Sequence, residues 1–214
     1  MKIKVIRSKR RTLSLSLGAE GEVVVRAPKR VSDAEIENFV SRHRRWLEKR
    51  LTEREGTQIS LETGKILPLF GKKYKIADGK PSIEGDTLYL PEKNRAAELV
   101  ALAEELAKQM LARTTQKFAS AYGFEYASVR ISRARSRWGS CNRKGAIAYT
   151  FRLAFVPMEL SEYVVVHELC HTRVFNHSAA FWKEVARVLP DWEQRRRALR
   201  KQGVLMNLFR ENIG

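Results

Sequence analysis

The sequence predicts an α+β protein, and three observations point to that class. Much of the first thirty residues reads as strands, with period-two alternation at 13–17, and strand candidates separated by glycine turns return between 66 and 90. Between 95 and 122 the apolar residues recur instead at intervals of three and four, the spacing of an amphipathic helix. The elements then follow the order strands and a helix, strands, a long helix, a short sheet and further helices. That order does not alternate strand and helix as a parallel βαβ fold would. With 214 residues, 43% of them hydrophobic, the chain can bury a core as one moderate domain or two small ones.

Leu13-Ser14-Leu15-Ser16-Leu17 alternates strictly, and Glu22-Val23-Val24-Val25-Arg26 follows Gly18 and Gly21, which predicts a hairpin. Pro28 stops that run. Ser32 ahead of Asp33, Ala34 and Glu35 marks a helix start with an N-cap and acidic residues in its first turn. This helix is expected to reach about Arg54, with Ile36, Phe39, Val40, Trp46 and Leu47 on one side. His43, Arg44, Arg45, Lys49 and Arg50 take the other side. Strands are expected at 66–70, 73–76 and 87–90, with turns at Gly71, Gly79 and Gly85. Residues 91–94 then separate a β-rich N-terminal region with one helix, 1–92, from a C-terminal region, 93–214.

In the second region, Leu99, Leu102, Leu106, Met110, Leu111 and Phe118 pattern a helix over 95–122. Strands return between 129 and 155, around Arg137-Trp138-Gly139-Ser140-Cys141 and 142–145. Helices at about 159–174, 178–189 and 192–202 complete the chain, which holds no internal repeat and no low-complexity segment.

Lys and Arg total 41 against 24 Asp and Glu, a formal charge of +17. Such an excess attracts polyanions or substrates bearing phosphate or carboxylate, or else forms a basic surface without such a partner. Two cysteines, Cys141 and Cys170, are too few for a disulfide framework. Charges interrupt Met1 to Arg7 where a signal peptide would be apolar. No stretch approaches the about 18 apolar residues that cross a bilayer. A reducing, cytoplasmic setting with no membrane partner is expected.

The most informative residues are His167-Glu168-Leu169-Cys170-His171. Positions four apart share a helix face, so His167 and His171 can direct both imidazoles at one ion, and neutral imidazole suits zinc. Glu168, one residue along, is placed to act as a general base toward water at the metal. The apolar run Tyr163-Val164-Val165-Val166 before the motif fits a buried helix carrying a few polar ligands. A catalytic zinc site takes three protein ligands, and His177, six residues after His171, is the candidate third. Ser178 can N-cap the helix that follows and fix the intervening turn. Three of the four histidines thus fall within eleven residues. A pair of ordinary imidazoles, or a structural zinc closed by a cysteine, would be the alternatives. Cys170 lies on a different helical face from the pair and reads as a small core residue, and Cys141 is a more remote candidate. One zinc ion, with another divalent metal as the alternative, is the expected cofactor.

Arg137-Trp138-Gly139-Ser140-Cys141, the stretch from Tyr163 to His171, Asn176-His177-Ser178 and Phe181-Trp182 closely resemble the YgjP-like metallopeptidase-domain family. So do Arg7 to Arg11, Pro28, Trp46 and Leu69-Phe70-Gly71-Lys72-Lys73-Tyr74, so the likeness spans nearly the whole chain. The resemblance implies a metal-dependent hydrolase with a zincin-like catalytic domain over 93–214, akin to SprT-like and WLM zincins. It implies zinc ligands at His167, His171 and His177, with Glu168 as catalytic acid and base. The histidine spacing also matches the metzincins, but Val174 stands where their linker has glycine. Thr172 to Phe175 and Tyr149 to Arg152 also depart from the family pattern beside the cleft.

Between Ser128 and Met158 stand seven basic residues and no acidic one: Arg130, Arg133, Arg135, Arg137, Arg143, Lys144 and Arg152. Arg137 is the candidate to stabilise a developing oxyanion, because it adjoins Trp138 and Gly139. Trp138, Gly139 and Ser140 are the candidate substrate-binding residues. An edge strand beside the zincin helix commonly takes substrate, and glycine permits close backbone approach. Three substrate classes fit: a peptide added as a strand, a nucleoside triphosphate, since the family includes proteins assigned a UTP pyrophosphatase activity, or nucleic acid. For the last, Arg42, Arg44, Arg45, Lys49 and Arg50 early in the chain, and Arg195, Arg196, Arg197, Arg200 and Lys201 late, supply phosphate contacts.

Overall fold

The computed structural model describes residues 3–18, 22–48, 59–207 and 209. The chain divides into two compact units, Met1–Gln58 and Ile59–Gly214.

The first unit is a three-stranded sheet with a helix on it. Strands β1 (Ile3–Ser8), β2 (Ser14–Leu17) and β3 (Val23–Pro28) lie in the order β1-β3-β2, with β1 parallel and β2 antiparallel to β3. The expected hairpin is β2–β3, and Ser14 pairs with Arg26. Helix α1 (Asp33–Arg42) starts at the Ser32 cap, where the Ser32 hydroxyl accepts from the Glu35 amide and the Glu35 carboxylate accepts from the Ser32 amide. Val23, Val25, Ala27, Ile36, Val40 and Leu47 form a core of their own. The helix ends earlier than the sequence suggested. At His43 the ring Nδ1 lies 2.8 Å from the Phe39 carbonyl, and the His43 amide donates to Val40 instead, which tightens the last turn. Helical backbone resumes over 44–48, and the expected continuation to Arg54 lies outside the described residues, as do Lys49 and Arg50.

The second unit opens with a four-stranded sheet: β4 (Ile66–Leu69), β5 (Lys72–Asp78), β6 (Ser82–Glu84) and β7 (Thr87–Leu90) in the order β4-β5-β7-β6. Alternate residues Leu67, Leu69, Tyr74, Ile76, Leu88 and Leu90 are buried, as the period-two pattern requires. Phe70 and Gly71 form the two-residue β4–β5 turn with φ of 48° and 81°, the mirror-image turn that strand twist favours. Those buried residues share one core with helix α2 (Arg95–Tyr122) and everything after it. The units therefore separate at 58/59, and the turn at 91–94 lies inside the second of them.

Along α2 the buried stripe runs through Leu99, Ala103, Ala107, Leu111, Thr115 and Phe118, while Leu102, Leu106 and Met110 are half-buried beside it. Small residues at its centre let the helix approach closely. The helix stops at Gly123, whose φ of 68° belongs to the left-handed region. Strands β8 (Ser128–Ser132), β9 (Gly139–Cys141) and β10 (Ala146–Thr150) make a third sheet in the order β8-β10-β9, with β9 an antiparallel edge. A buried 3-10 turn (Phe151–Phe155) leads into α3 (Met158–Cys170), α4 (Ala179–Val188), α5 (Trp192–Lys201) and a last 3-10 turn (Gln202–Asn207). Small sheets and separate helices make this an α+β fold. Among the described residues no helix is long and apolar enough to cross a membrane.

Candidate metal centre

Helix α3 carries the His-Glu pair, and its sequence explains why it is a helix despite three consecutive valines. Tyr163, Val164, Val165, Val166, Leu169 and Cys170 are all buried, so packing on every side outweighs the weak helix propensity of a β-branched run. The helix closes at Cys170, short of the expected 174, yet His171 keeps helical backbone with φ −67° and ψ −16°. The fourfold spacing therefore still places His167 and His171 on one face. Beyond His171 the Arg173 and Val174 amides both turn back to the Cys170 carbonyl, at 3.1 and 2.9 Å.

His177 arrives from the segment between α3 and α4. Ser178 occupies the N-cap position of α4 as expected, but its hydroxyl makes no capping bond. The turn is instead held by Asn176, whose Oδ1 accepts from the Ser178 amide at 3.3 Å.

The three rings converge. His167 Nε2 lies 3.2 Å from His171 Nε2 and 3.0 Å from His177 Nε2, and one ligand atom from each lies within 4.8 Å of the others. His171 Nδ1 is 3.0 Å from the Val174 carbonyl. A carbonyl only accepts, so Nδ1 carries the proton and Nε2 presents its lone pair to the centre. Phe181, fully buried, sits against all three imidazoles, with centroids 4.9 Å from His167, 4.5 Å from His171 and 4.8 Å from His177. Burial first, and then the neighbouring rings, push the His167 pKa down to about 3, and burial also lowers that of His171. Three ring nitrogens facing one another at this distance cannot all be satisfied by shared protons, whereas a cation between them accepts every lone pair. The donor set thus fits a divalent metal that prefers nitrogen.

Glu168 packs against strand β9 of the third sheet. It is 5% exposed, and burial raises its pKa to about 8 against the opposing pull of the Arg137 charge. A Cβ added to Gly139 would lie 2.6 Å from Glu168 Oε1 and 2.7 Å from its Cγ. A side chain there would have to displace Glu168 or strand β9. The close approach expected of Gly139 is therefore made by Glu168 itself.

A model of the YgjP-like metallopeptidase domain matches residues 11–202. The chain belongs to the YgjP-like family. That membership places it among metal-dependent hydrolases, and the three-histidine cluster is where this YgjP-like chain can hold the ion. No curated protein and no solved structure matches it.

Of the remaining candidates of this YgjP-like domain, Gly139 and Arg137 are the ones linked to Glu168. Arg137 is exposed and acts electrostatically on Glu168. Trp138 is half-buried against the core, and its carbonyl accepts from the Thr150 amide at 2.9 Å. Ser140 pairs with Ala148 in the sheet. Cys170 is buried and Cys141 half-buried, both free thiols, and neither joins the histidine cluster. Arg152 differs from the other six basic residues between 128 and 158, which are exposed. It is fully buried, donates to the Ala134 carbonyl at 3.3 Å, and stacks 4.6 Å over Phe151. Arg133 pairs with Glu104, and Arg195 with Glu162 and Asp191. Arg196, read from the sequence as a phosphate contact, and Trp192, to which the sequence reading gave no role, instead stack with Trp182. Their spacing of four on a helix was the available signal.

Proposed function

We propose that the protein is a zinc-dependent metallopeptidase of the zincin type, in which His167, His171 and His177 hold the ion and Glu168 is the acid and base. The observation that carries this reading is the convergence of three imidazoles beside a buried carboxylate packed against an edge strand. Bound there, zinc supplies Lewis acidity, making water more acidic and polarising the oxygen of the scissile bond.

The chain's own residues do the rest. Glu168 takes the proton from the attacking water and returns it to the leaving amine. Arg137 offers positive charge to the oxygen on which negative charge develops. Strand β9 is an edge, so an extended peptide can add along Gly139 to Cys141 through main-chain hydrogen bonds, with Trp138 as a wall beside it. A cytoplasmic peptide or protein is then the substrate.

The exposed Arg130, Arg135, Arg137, Arg143 and Lys144 favour a second reading, a nucleoside triphosphate pyrophosphatase using the same centre. Binding of nucleic acid has less support, since Arg195 and Arg196 of its late cluster are engaged within the fold. Metal analysis of the purified protein, with casein and a nucleoside triphosphate panel as substrates, separates the readings. Glu168→Gln should retain the metal and lose about 10²- to 10⁴-fold in turnover, while His171→Ala should lose the metal. Turnover by Glu168→Gln at the wild-type rate would remove Glu168 from the chemistry.

A further inference from the structure

The three histidines are held by unequal means. His167 is set by the buried helix α3. His171 is set by that helix and by its bond to the Val174 carbonyl at 3.0 Å. His177 is exposed and lies outside any helix, and its ring makes no hydrogen bond to a carbonyl or carboxylate among the described residues. A metal-binding imidazole ordinarily has such an acceptor on its second nitrogen, which fixes the plane of the ring. His167 Nδ1 is likewise without a partner, but that ring is enclosed by the packing of α3, whereas the exposed His177 has no such enclosure.

Three side chains from α4 and α5 take that place. The Trp182 ring stacks on His177 at 5.6 Å and 29°, and Trp192 stacks on Trp182 at 4.3 Å and 16°. The Arg196 guanidinium lies 4.6 Å from the Trp182 ring and 6.0 Å from that of Trp192, attracted by the negative faces of the indoles. The column is continuous from the exposed imidazole to helix α5. Trp192 and Arg196 hold Trp182, and Trp182 leaves His177 one broad face to lie against. Phe181 meets the same imidazole edge-on at 4.8 Å and 70°, closing a corner around it.

We propose that Trp182, backed by Trp192 and Arg196, is a positioning residue for the metal centre, orienting His177 by ring stacking where a hydrogen-bonded acceptor would otherwise do so. This rests on the reading of His177 as a ligand. The stack reduces the rotations His177 loses when the ion binds, so its effect belongs in metal affinity before it appears in turnover.

The test is the zinc dissociation constant of the full chain, measured by competition with a chromogenic chelator, alongside the thermal midpoint of the metal-free protein. Trp182→Leu should weaken zinc by about 10- to 100-fold, and Trp182→Phe, which restores a flat ring, should stay close to wild type. Trp192→Leu should weaken zinc less, because Trp182 remains but loses its backing. Zinc affinity unchanged in Trp182→Leu overturns the proposal, as does a fall in thermal midpoint without a fall in affinity. Should Trp182→Leu fail to fold, Trp192→Leu decides in the same way, with unchanged affinity overturning it. Wild-type protein that binds no zinc is a separate outcome, and it overturns the three-histidine centre itself.

Discussion

The two sides of the metal centre are built by opposite means. On the sheet side Glu168 is pressed against Gly139 so closely that a methyl group there would come within 2.6 Å of its carboxylate. On the helical side His177 is exposed and rests on stacked rings. The first arrangement relies on steric exclusion and low dielectric, and an added atom must displace the carboxylate or the strand. The second relies on flat polarisable surfaces, which accept one ring for another. A proton-transferring carboxylate must be aimed, whereas a ligand can be drawn into place by the ion it binds. The contrast suits those two tasks.

Gly139→Ala tests the stiffer side and should give the largest effect. The new Cβ must move either β9 or the Glu168 side chain, and the helix backbone behind Glu168 is buried and cannot follow. Displacement of a catalytic group by about 1 Å costs on the order of 10²-fold in rate. Zinc affinity should stay near wild type, since no ligand is touched. Steady-state kinetics together with chelator competition read both quantities. Full activity in Gly139→Ala would mean that the carboxylate is not held by exclusion, and the contrast between the two sides would fail.

Arg152→Met comes next. Arg152 donates from full burial to the Ala134 carbonyl, which also accepts from the Thr150 hydroxyl at 3.2 Å. These bonds hold the segment leading to Arg137 and Trp138. Removing the guanidinium forfeits a charge-assisted hydrogen bond worth about 1.5–3 kcal/mol, so urea unfolding should shift by that much. Turnover should fall less than in Gly139→Ala, because Arg137 lies further from the proton transfer than Glu168 does. A stability equal to wild type would assign Arg152 no tethering role.

What the sequence made legible follows the same division. The fold class and the histidine cluster could be read because each rests on local spacing: period two in β2, period 3.6 in α2, and four residues between His167 and His171. The stop of α1 at His43 could not be read, because it comes from a ring nitrogen reaching the Phe39 carbonyl, a contact no periodicity encodes. Nor could the fate of Arg152. The six other basic residues between 128 and 158 are exposed, and only the fold turns this one inward. The buried stripe of α2 runs through Ala103 and Ala107 because facing elements need room there, while a scan for large apolar residues picks their half-buried neighbours Leu102 and Leu106. The stack of Trp182, Trp192 and Arg196 joins two helices, so only the spacing within α5 was available beforehand.

The mildest change on the yielding side is Asn176→Ala. The Asn176 Oδ1 accepts from the Ser178 amide at 3.3 Å and shapes the turn that presents His177. Its loss removes one neutral hydrogen bond in an exposed segment, worth about 0.5–1.5 kcal/mol. If the rings orient His177, most of that cost falls on the loop and little on the ligand, so zinc should weaken by only a few fold, on the order of threefold to tenfold for such an energy. Trp182→Leu in the same assay should weaken it more. The ranking is the informative quantity. Were Asn176→Ala the more damaging of the two, the backbone turn would be what holds the third ligand, and both sides of the centre would then depend on fixed main-chain geometry.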